Sequence, residues 1–208
     1  MKCIAIIDYG VGNLRSVEKA FVAVGAHAVV SSDAHVLREA EGLVLPGVGA
    51  FRACMKSLSQ RGFSDLVRER VAAGTPLLGL CVGMQMLFDG SEEYGPSPGL
   101  GFLRGQVRRF SNEVRVPQVG WNQVKIKRSH PLLDGIEDDA FFYFVHSYYC
   151  DPQDREEIIG ETDYGASYAS VVTQGNVCGV QFHPEKSQVS GLRLLRNFAQ
   201  GVLRGGLC

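Results

Sequence analysis

The first hundred residues repeat one pattern: a short unbroken apolar run, a turn, then a stretch that is apolar on one side only. The runs Lys2 to Asp8, His27 to Ser31, Gly42 to Pro46 and Pro76 to Leu80 read as strands, and Asn13 to Val24, Arg52 to Gln60 and Ser64 to Ala73 as helices. In the first helix Leu14, Val17, Phe21 and Val24 share a face, and Gly25 sits just past its end. Strands without polar alternation, each followed by a helix, require a parallel sheet covered on both faces. Beyond Gly90 the texture changes. Gly95, Pro96, Pro98, Gly99 and Gly101 mark a loop, and Gln106 to Phe110, Asn122 to Lys127, Phe141 to Tyr149 and Tyr168 to Thr173 read as strands with little helix between them. Asn176 to Phe182 reads as the last strand, and Ser190 is expected to cap a closing helix that buries Leu192, Leu195, Phe198, Ala199 and Val202. With no repeat and no linker, residues 1–208 read as one α/β domain: an open, mostly parallel, flavodoxin-like sheet with an antiparallel extension.

A chain of 208 residues buries about 70% of its unfolded surface. Its 21 basic and 22 acidic residues form no polybasic block, so a nucleic-acid partner is not expected. The apolar run Ile4 to Ile7 stops at Asp8, too short for a signal-peptide core or a membrane span, which predicts a cytoplasmic protein. The six cysteines, from Cys3 to Cys208, are scattered without a C-x-x-C pair, so neither a disulfide framework nor a structural zinc site is expected. The 25 glycines exceed the usual share of about 7% and point to tight turns and close backbone approaches.

Two of those glycines frame Cys81. Gly79-Leu80-Cys81-Val82-Gly83 lies where a strand ends and an apolar helix, Met84 to Phe88, is expected, which is the pattern of a nucleophile elbow. A residue on so sharp a turn has strained backbone, and a Cβ two positions away on either side would collide with the neighbouring strand or helix. The same glycine-flanked cysteine also suits a buried core thiol. A second segment favours chemistry. In Gln181-Phe182-His183-Pro184-Glu185 the proline biases His183 to extended backbone, so Glu185 faces the same side and reaches one imidazole nitrogen while the other is left for Cys81. An imidazole beside a thiol activates it by forming an ion pair. His146, at the end of an apolar strand, reads as structural. A third segment, Pro46-Gly47-Val48-Gly49-Ala50, follows a strand and brings backbone N–H groups close to whatever sits above Cys81, where an oxyanion would be held.

In this order and spacing the three segments resemble the triad-type (class I) glutamine amidotransferases, over nearly the whole chain. Further details are similar to the glutaminase subunits of imidazole glycerol phosphate synthases: D-Y-G-V-G-N-L-R-S at 8–16, P-G-V-G-A-F at 46–51, G-L-C-V-G-M-Q at 79–85, S-E-E at 91–93, P-Q-V-G-W-N at 117–122, H-S-Y at 146–148 and H-P-E-K-S at 183–187. The resemblance implies that Cys81 attacks the side-chain amide of L-glutamine, that His183 shuttles protons and that Glu185 orients His183. It implies an oxyanion hole from the Val82 N–H and one N–H of the Gly47-Val48-Gly49 turn, in which a peptide flip serves as the on-switch. Gln85 and Glu93 match positions that hold the substrate, Glu93 through its α-ammonium, and Ser147 and Tyr148 match a segment lining the same pocket. No metal or organic cofactor is implied.

The resemblance also implies a heterodimer with a (β/α)8-barrel cyclase subunit. That subunit takes ammonia through a channel and makes imidazole glycerol phosphate and AICAR in histidine biosynthesis. Asn13, Trp121, Tyr143 and Lys186 match positions at or near the interface. Gln118-Val119 departs from the family's pattern before G-W-N, and paralogous subunits serve other synthases, such as those amidating surface sugars. That reading stays open at this point, as does a stand-alone Cys-His γ-glutamyl hydrolase.

Overall fold

The fold is described for residues 3–205 of a computed structural model; Lys2, at the start of the first expected strand, and Cys208 lie outside the described residues. The parallel half holds β1 (Ile4–Ile7), α1 (Leu14–Ala23), β2 (Ala28–Ser31), α2 (Ala34–Glu39), β3 (Gly42–Gly47), α3 (Phe51–Gln60), α4 (Phe63–Ala72), β4 (Leu77–Cys81) and α5 (Val82–Gln85). The second half holds β5 (Phe88–Ser91), β6 (Ser97–Pro98), β7 (Leu103–Arg109), β8 (Gln118–Ile126), β9 (Ala140–His146) and β10 (Tyr148–Pro152). It closes with β11 (Ile158–Asp163), β12 (Ser167–Gln174), β13 (Val177–Val180) and α6 (Gln188–Arg204).

All strands join one 13-stranded sheet in the order β2-β1-β3-β4-β13-β12-β10-β7-β5-β6, with β11 leading from β12 to β8 and β9. From β2 to β13 the pairing is parallel; β12, β10 and β7 continue it antiparallel. The sheet is open, as read from the sequence, and the unbroken apolar runs have the expected cause. Along β1, Ile4 and Ile6 pack on one side with Val17, Phe21, Leu195 and Phe198 of α1 and α6. Ala5 and Ile7 pack on the other with Leu37, Phe51, Leu58 and Leu66 of α2, α3 and α4. Both faces are covered, so neither alternates with polar residues. No described helix is long and apolar enough to cross a membrane.

The departures from the sequence reading have local causes. The helix expected at Met84 to Phe88 is instead a single turn, Val82–Gln85, and Phe88 already starts a strand that pairs in parallel with β7. Of the glycines past residue 90 read as a loop, Gly99 serves a close backbone approach: a Cβ there would overlap the Phe88 carbonyl oxygen. The segment read as one strand, Phe141 to Tyr149, breaks at Ser147, so that β9 pairs with β8 while β10 pairs with β7 and β12. Helix α6 starts at Gln188, two residues before Ser190. The preceding Ser187 is committed elsewhere: its hydroxyl donates to the His183 carbonyl at 2.6 Å and accepts from the Tyr143 N–H at 3.0 Å. Helix α2 and strand β11 were not read from the sequence, although Asp33 signals the former by accepting the His35 N–H at 2.8 Å as its N-cap.

Candidate active site

Three strand ends converge on Cys81. The β3–β4 register sets Gly47 beside Cys81, and β13 runs on the other side of β4 and leads into the His183 segment. Cys81 sits between β4 and α5 with φ 55° and ψ −112°, a conformation few non-glycine residues adopt, at a cost of about 1–3 kcal/mol. The flanking glycines are required sterically. A Cβ on Gly83 would overlap the Leu45 carbonyl oxygen, and one on Gly79 would lie 2.7 Å from the Gly83 carbonyl oxygen. Gly83→Ala is therefore expected to destabilise the fold by roughly 3 kcal/mol, measured by chemical denaturation, because neither backbone can yield. An effect below about 1 kcal/mol would mean that the elbow has room the structure does not show.

The structure brings His183 and Glu185 together with Cys81. His183 Nδ1 lies 3.0 Å from Glu185 Oε1, with the two side chains 9% and 2% exposed. His183 is extended, as read, but Glu185 reaches it from a 3₁₀ turn, Pro184–Lys186, rather than from a continued strand. Burial pulls the His183 pKa down, but hydrogen bonds to Cys81 and Glu185 outweigh it and hold the imidazole up at about 10. The imidazolium is thus the cation beside the sulfur. The one-turn α5, Val82–Gln85, is too short to supply much dipole.

A cavity of about 320 Å³ opens above the sulfur. Val48, Gly49, Val82, Gln85, Glu93, Ser147 and Tyr148 line it. Glu93 faces the end of α3, where its Oε2 accepts the Phe51 N–H at 2.6 Å. Gln85 is 3% exposed, and its amide nitrogen donates to the Tyr148 carbonyl at 3.0 Å and to Gln181 Oε1 at 3.1 Å, fixing the wall formed by β10. Sequence reasoning missed Gln181, whose Nε2 lies 3.8 Å from the Cys81 sulfur. Its position two residues before His183 in sequence was the available signal. Pro117, Val145 and His146 also line the cavity. His146 is structural, as read: Nδ1 bonds the Tyr148 carbonyl at 2.8 Å, Nε2 lies 3.2 Å from the Tyr168 hydroxyl, and burial holds its pKa at about 4.

Beside the cavity, β8 and β9 turn one apolar face outward. Their register sets Val119 opposite Val145, and Trp121 opposite Tyr143. Val119, Trp121, Phe141 and Val145 are all exposed, Trp121 at 46%. The Trp121 and Tyr143 rings meet edge to face at 5.9 Å, and Lys186 Nζ lies 5.9 Å from the Tyr143 ring centre. The structure thus groups Trp121, Tyr143 and Lys186. Asn13, exposed at the N-cap of α1, borders a small cavity with Gly47, His183 and Glu185.

The sequence profile of the glutamine amidotransferase class-I family matches residues 5–202, and the chain belongs to that family. Within it, the chain is 48% identical to "Imidazole glycerol phosphate synthase subunit HisH" of Symbiobacterium thermophilum, over 97% of this chain and 95% of the relative. It is 48% identical to the protein of the same name from Geobacter sulfurreducens, over 96% and 99%. Among solved structures, "Crystal structure of glutamine amidotransferase" superposes with a TM-score of 0.75 at 24% identity, covering 95% of this chain and 97% of that one. PurLQS from Thermotoga maritima gives 0.76 at 17% identity, covering 98% of each. At those identities the structures establish the shared fold alone.

Proposed function

We propose that this chain is the glutaminase subunit of an imidazole glycerol phosphate synthase: it hydrolyses L-glutamine to glutamate and ammonia and supplies the ammonia to a cyclase subunit in histidine biosynthesis. The reading is supported most by one observation, the Cys81–His183–Glu185 constellation at the foot of the cavity, in a chain about half identical to subunits so named. The Cys81 sulfur attacks the substrate's side-chain carbonyl carbon, and the developing oxyanion is taken up by the Val82 N–H and an N–H of the 47–49 turn. As the carbon–nitrogen bond breaks, His183 gives its proton to the departing nitrogen, leaving a thioester and ammonia. The neutral imidazole then removes a proton from water; hydroxide displaces the sulfur, glutamate forms and the imidazolium–thiolate pair is restored. In this reading Glu93 holds the substrate's α-ammonium, and Gln85, Ser147 and Tyr148, which line the same cavity, shape the pocket around it.

The partner in this reading is a (β/α)8-barrel cyclase, seated on the outward face of β8 and β9, and the complex is cytoplasmic. An exposed Trp–Tyr pair with a lysine over the ring is the kind of anchor that a partner covers, and this one adjoins the cavity mouth. The test is nitrogen tracing. With glutamine labelled in its amide, the cyclase and its nucleotide substrate, the label is expected in the imidazole product undiluted by added unlabelled ammonium, whereas Trp121→Ala lets dilution in. Full dilution in the wild type would contradict channelled transfer.

A further inference from the structure

The turn that carries the second oxyanion donor is held from beneath by two buried side chains that do not line the cavity. Tyr9, just past the end of β1 and fully buried, donates its hydroxyl to the Pro46 carbonyl at 2.6 Å. Cys54, in the first turn of α3 and 1% exposed, donates its thiol to the Val48 carbonyl at 3.3 Å. Burial is the leading cause that raises both pKa values, so both keep their protons and remain donors. Each is itself anchored. The Tyr9 carbonyl accepts the Ser57 hydroxyl at 2.5 Å, and the Cys54 N–H bonds the Ala50 carbonyl at 3.1 Å as α3 begins.

The pins grip the carbonyls of Pro46 and Val48, and neither falls on the Gly47–Val48 peptide between them. Rotating a single peptide plane changes ψ of one residue and φ of the next while leaving the neighbouring planes in place. Gly47 is suited to that: it has no Cβ, and one added there would lie 2.6 Å from the Gly83 nitrogen. Val48 is 40% exposed and Gly49 has φ +85° with open space where its Cβ would be, so the turn's outer side does not resist the motion. Without the pins the flanking planes could rotate too, and the donor would lose its aim at the acyl oxygen on Cys81.

We propose that Tyr9 and Cys54 are positioning residues for the oxyanion turn: by fixing the Pro46 and Val48 carbonyls they confine its reorientation to the Gly47–Val48 peptide and aim the Val48 N–H at the oxyanion. This rests on the glutaminase reading. It assigns a role to a buried tyrosine and a buried cysteine that touch neither substrate nor triad chemistry.

The experiment compares wild type, Tyr9→Phe, Cys54→Ala and Cys54→Ser in complex with the cyclase subunit and its nucleotide substrate. It reads kcat and KM for glutamate release, together with the rate at which iodoacetamide alkylates Cys81, resolved by mass spectrometry. Alkylation needs the thiolate but no oxyanion donor. Tyr9→Phe and Cys54→Ala are each expected to lower kcat about tenfold, less than the effect of deleting an oxyanion donor outright, with KM for glutamine within about twofold. Cys81 alkylation should stay within about twofold of wild type, and Cys54→Ser, which keeps a donor, should restore kcat to within about threefold. The inference is overturned if kcat is unchanged in both variants, or if kcat, KM and alkylation all deteriorate together without rescue by serine. Should Cys54→Ala fail to fold, Tyr9→Phe, which removes one oxygen, decides by the same criteria. A wild type that releases no glutamate in this assay defeats the glutaminase reading and this inference with it, whereas active wild type beside unaltered variants defeats the inference alone.

Discussion

Cys81→Ala is expected to lower glutamate release by about 10⁴-fold or more while leaving stability within about 1 kcal/mol of wild type and binding of the cyclase subunit unchanged. The large effect follows from the proposed division of labour, in which the sulfur is the atom that forms the acyl intermediate. Besides His183, which is committed to Glu185 and to proton transfer, Gln181 Nε2 and the Val145 carbonyl lie next to the sulfur, at 3.8 and 3.9 Å, and neither is a nucleophile. The small stability effect follows from packing. Cys81 is 3% exposed, and losing one sulfur atom leaves little void, while the glycines at 79 and 83 still fix the turn. Substantial residual glutamate release, traced to this chain by loss on dialysis against a mutant stock, would contradict the triad assignment.

Glu185→Gln is expected to cost 10²- to 10⁴-fold in kcat, because the glutamine side chain has no orientation that replaces both functions of the carboxylate (about the range seen when a triad's orienting acid is neutralised). If its carbonyl faces His183 Nδ1, the amide nitrogen takes the place of Glu185 Oε2, which is buried without a hydrogen-bond partner. If the amide nitrogen faces Nδ1 instead, it imposes the wrong tautomer. The pH dependence changes as well. His183 is held at about 10 in the folded protein against an unperturbed value near 6.5. A raised pKa contributes stability that is fully present below pH 6.5 and is lost as the pH rises through about 10. Removing the Glu185 charge lowers the upper limit, so in Glu185→Gln that loss is complete at lower pH. Denaturation curves from pH 6 to 10 check this, and identical alkaline limbs in the two proteins would contradict the role given to Glu185.

The parallel half of the sheet was legible because both faces of each strand are buried, which leaves an unmistakable apolar run in Ile4–Ile7, Leu43 to Leu45 and Leu77 to Leu80. The antiparallel half was harder to read. Strand β8 carries the burial pattern of a strand with one open face, and it starts at Gln118 rather than at Asn122 as read, so that Gly120 and the exposed Trp121 lie within it. The break at Ser147 is invisible locally, since β9 and β10 differ in pairing partner and not in composition. At the site, Gly79, Cys81 and Gly83 were legible because their steric demand is local. Gln181 and Tyr9 were not, because the groups they touch, Cys81 and the Pro46 carbonyl, lie 100 and 37 residues away in sequence.

The most direct measurement of the central claim is glutamate release from glutamine by this chain alone, and again with a (β/α)8-barrel cyclase subunit and its nucleotide substrate. The account predicts slow turnover alone and stimulation of about 10²-fold or more in the complex, the scale on which one oxyanion donor acts. Equal, vigorous turnover in both conditions would contradict it and identify a free-standing hydrolase.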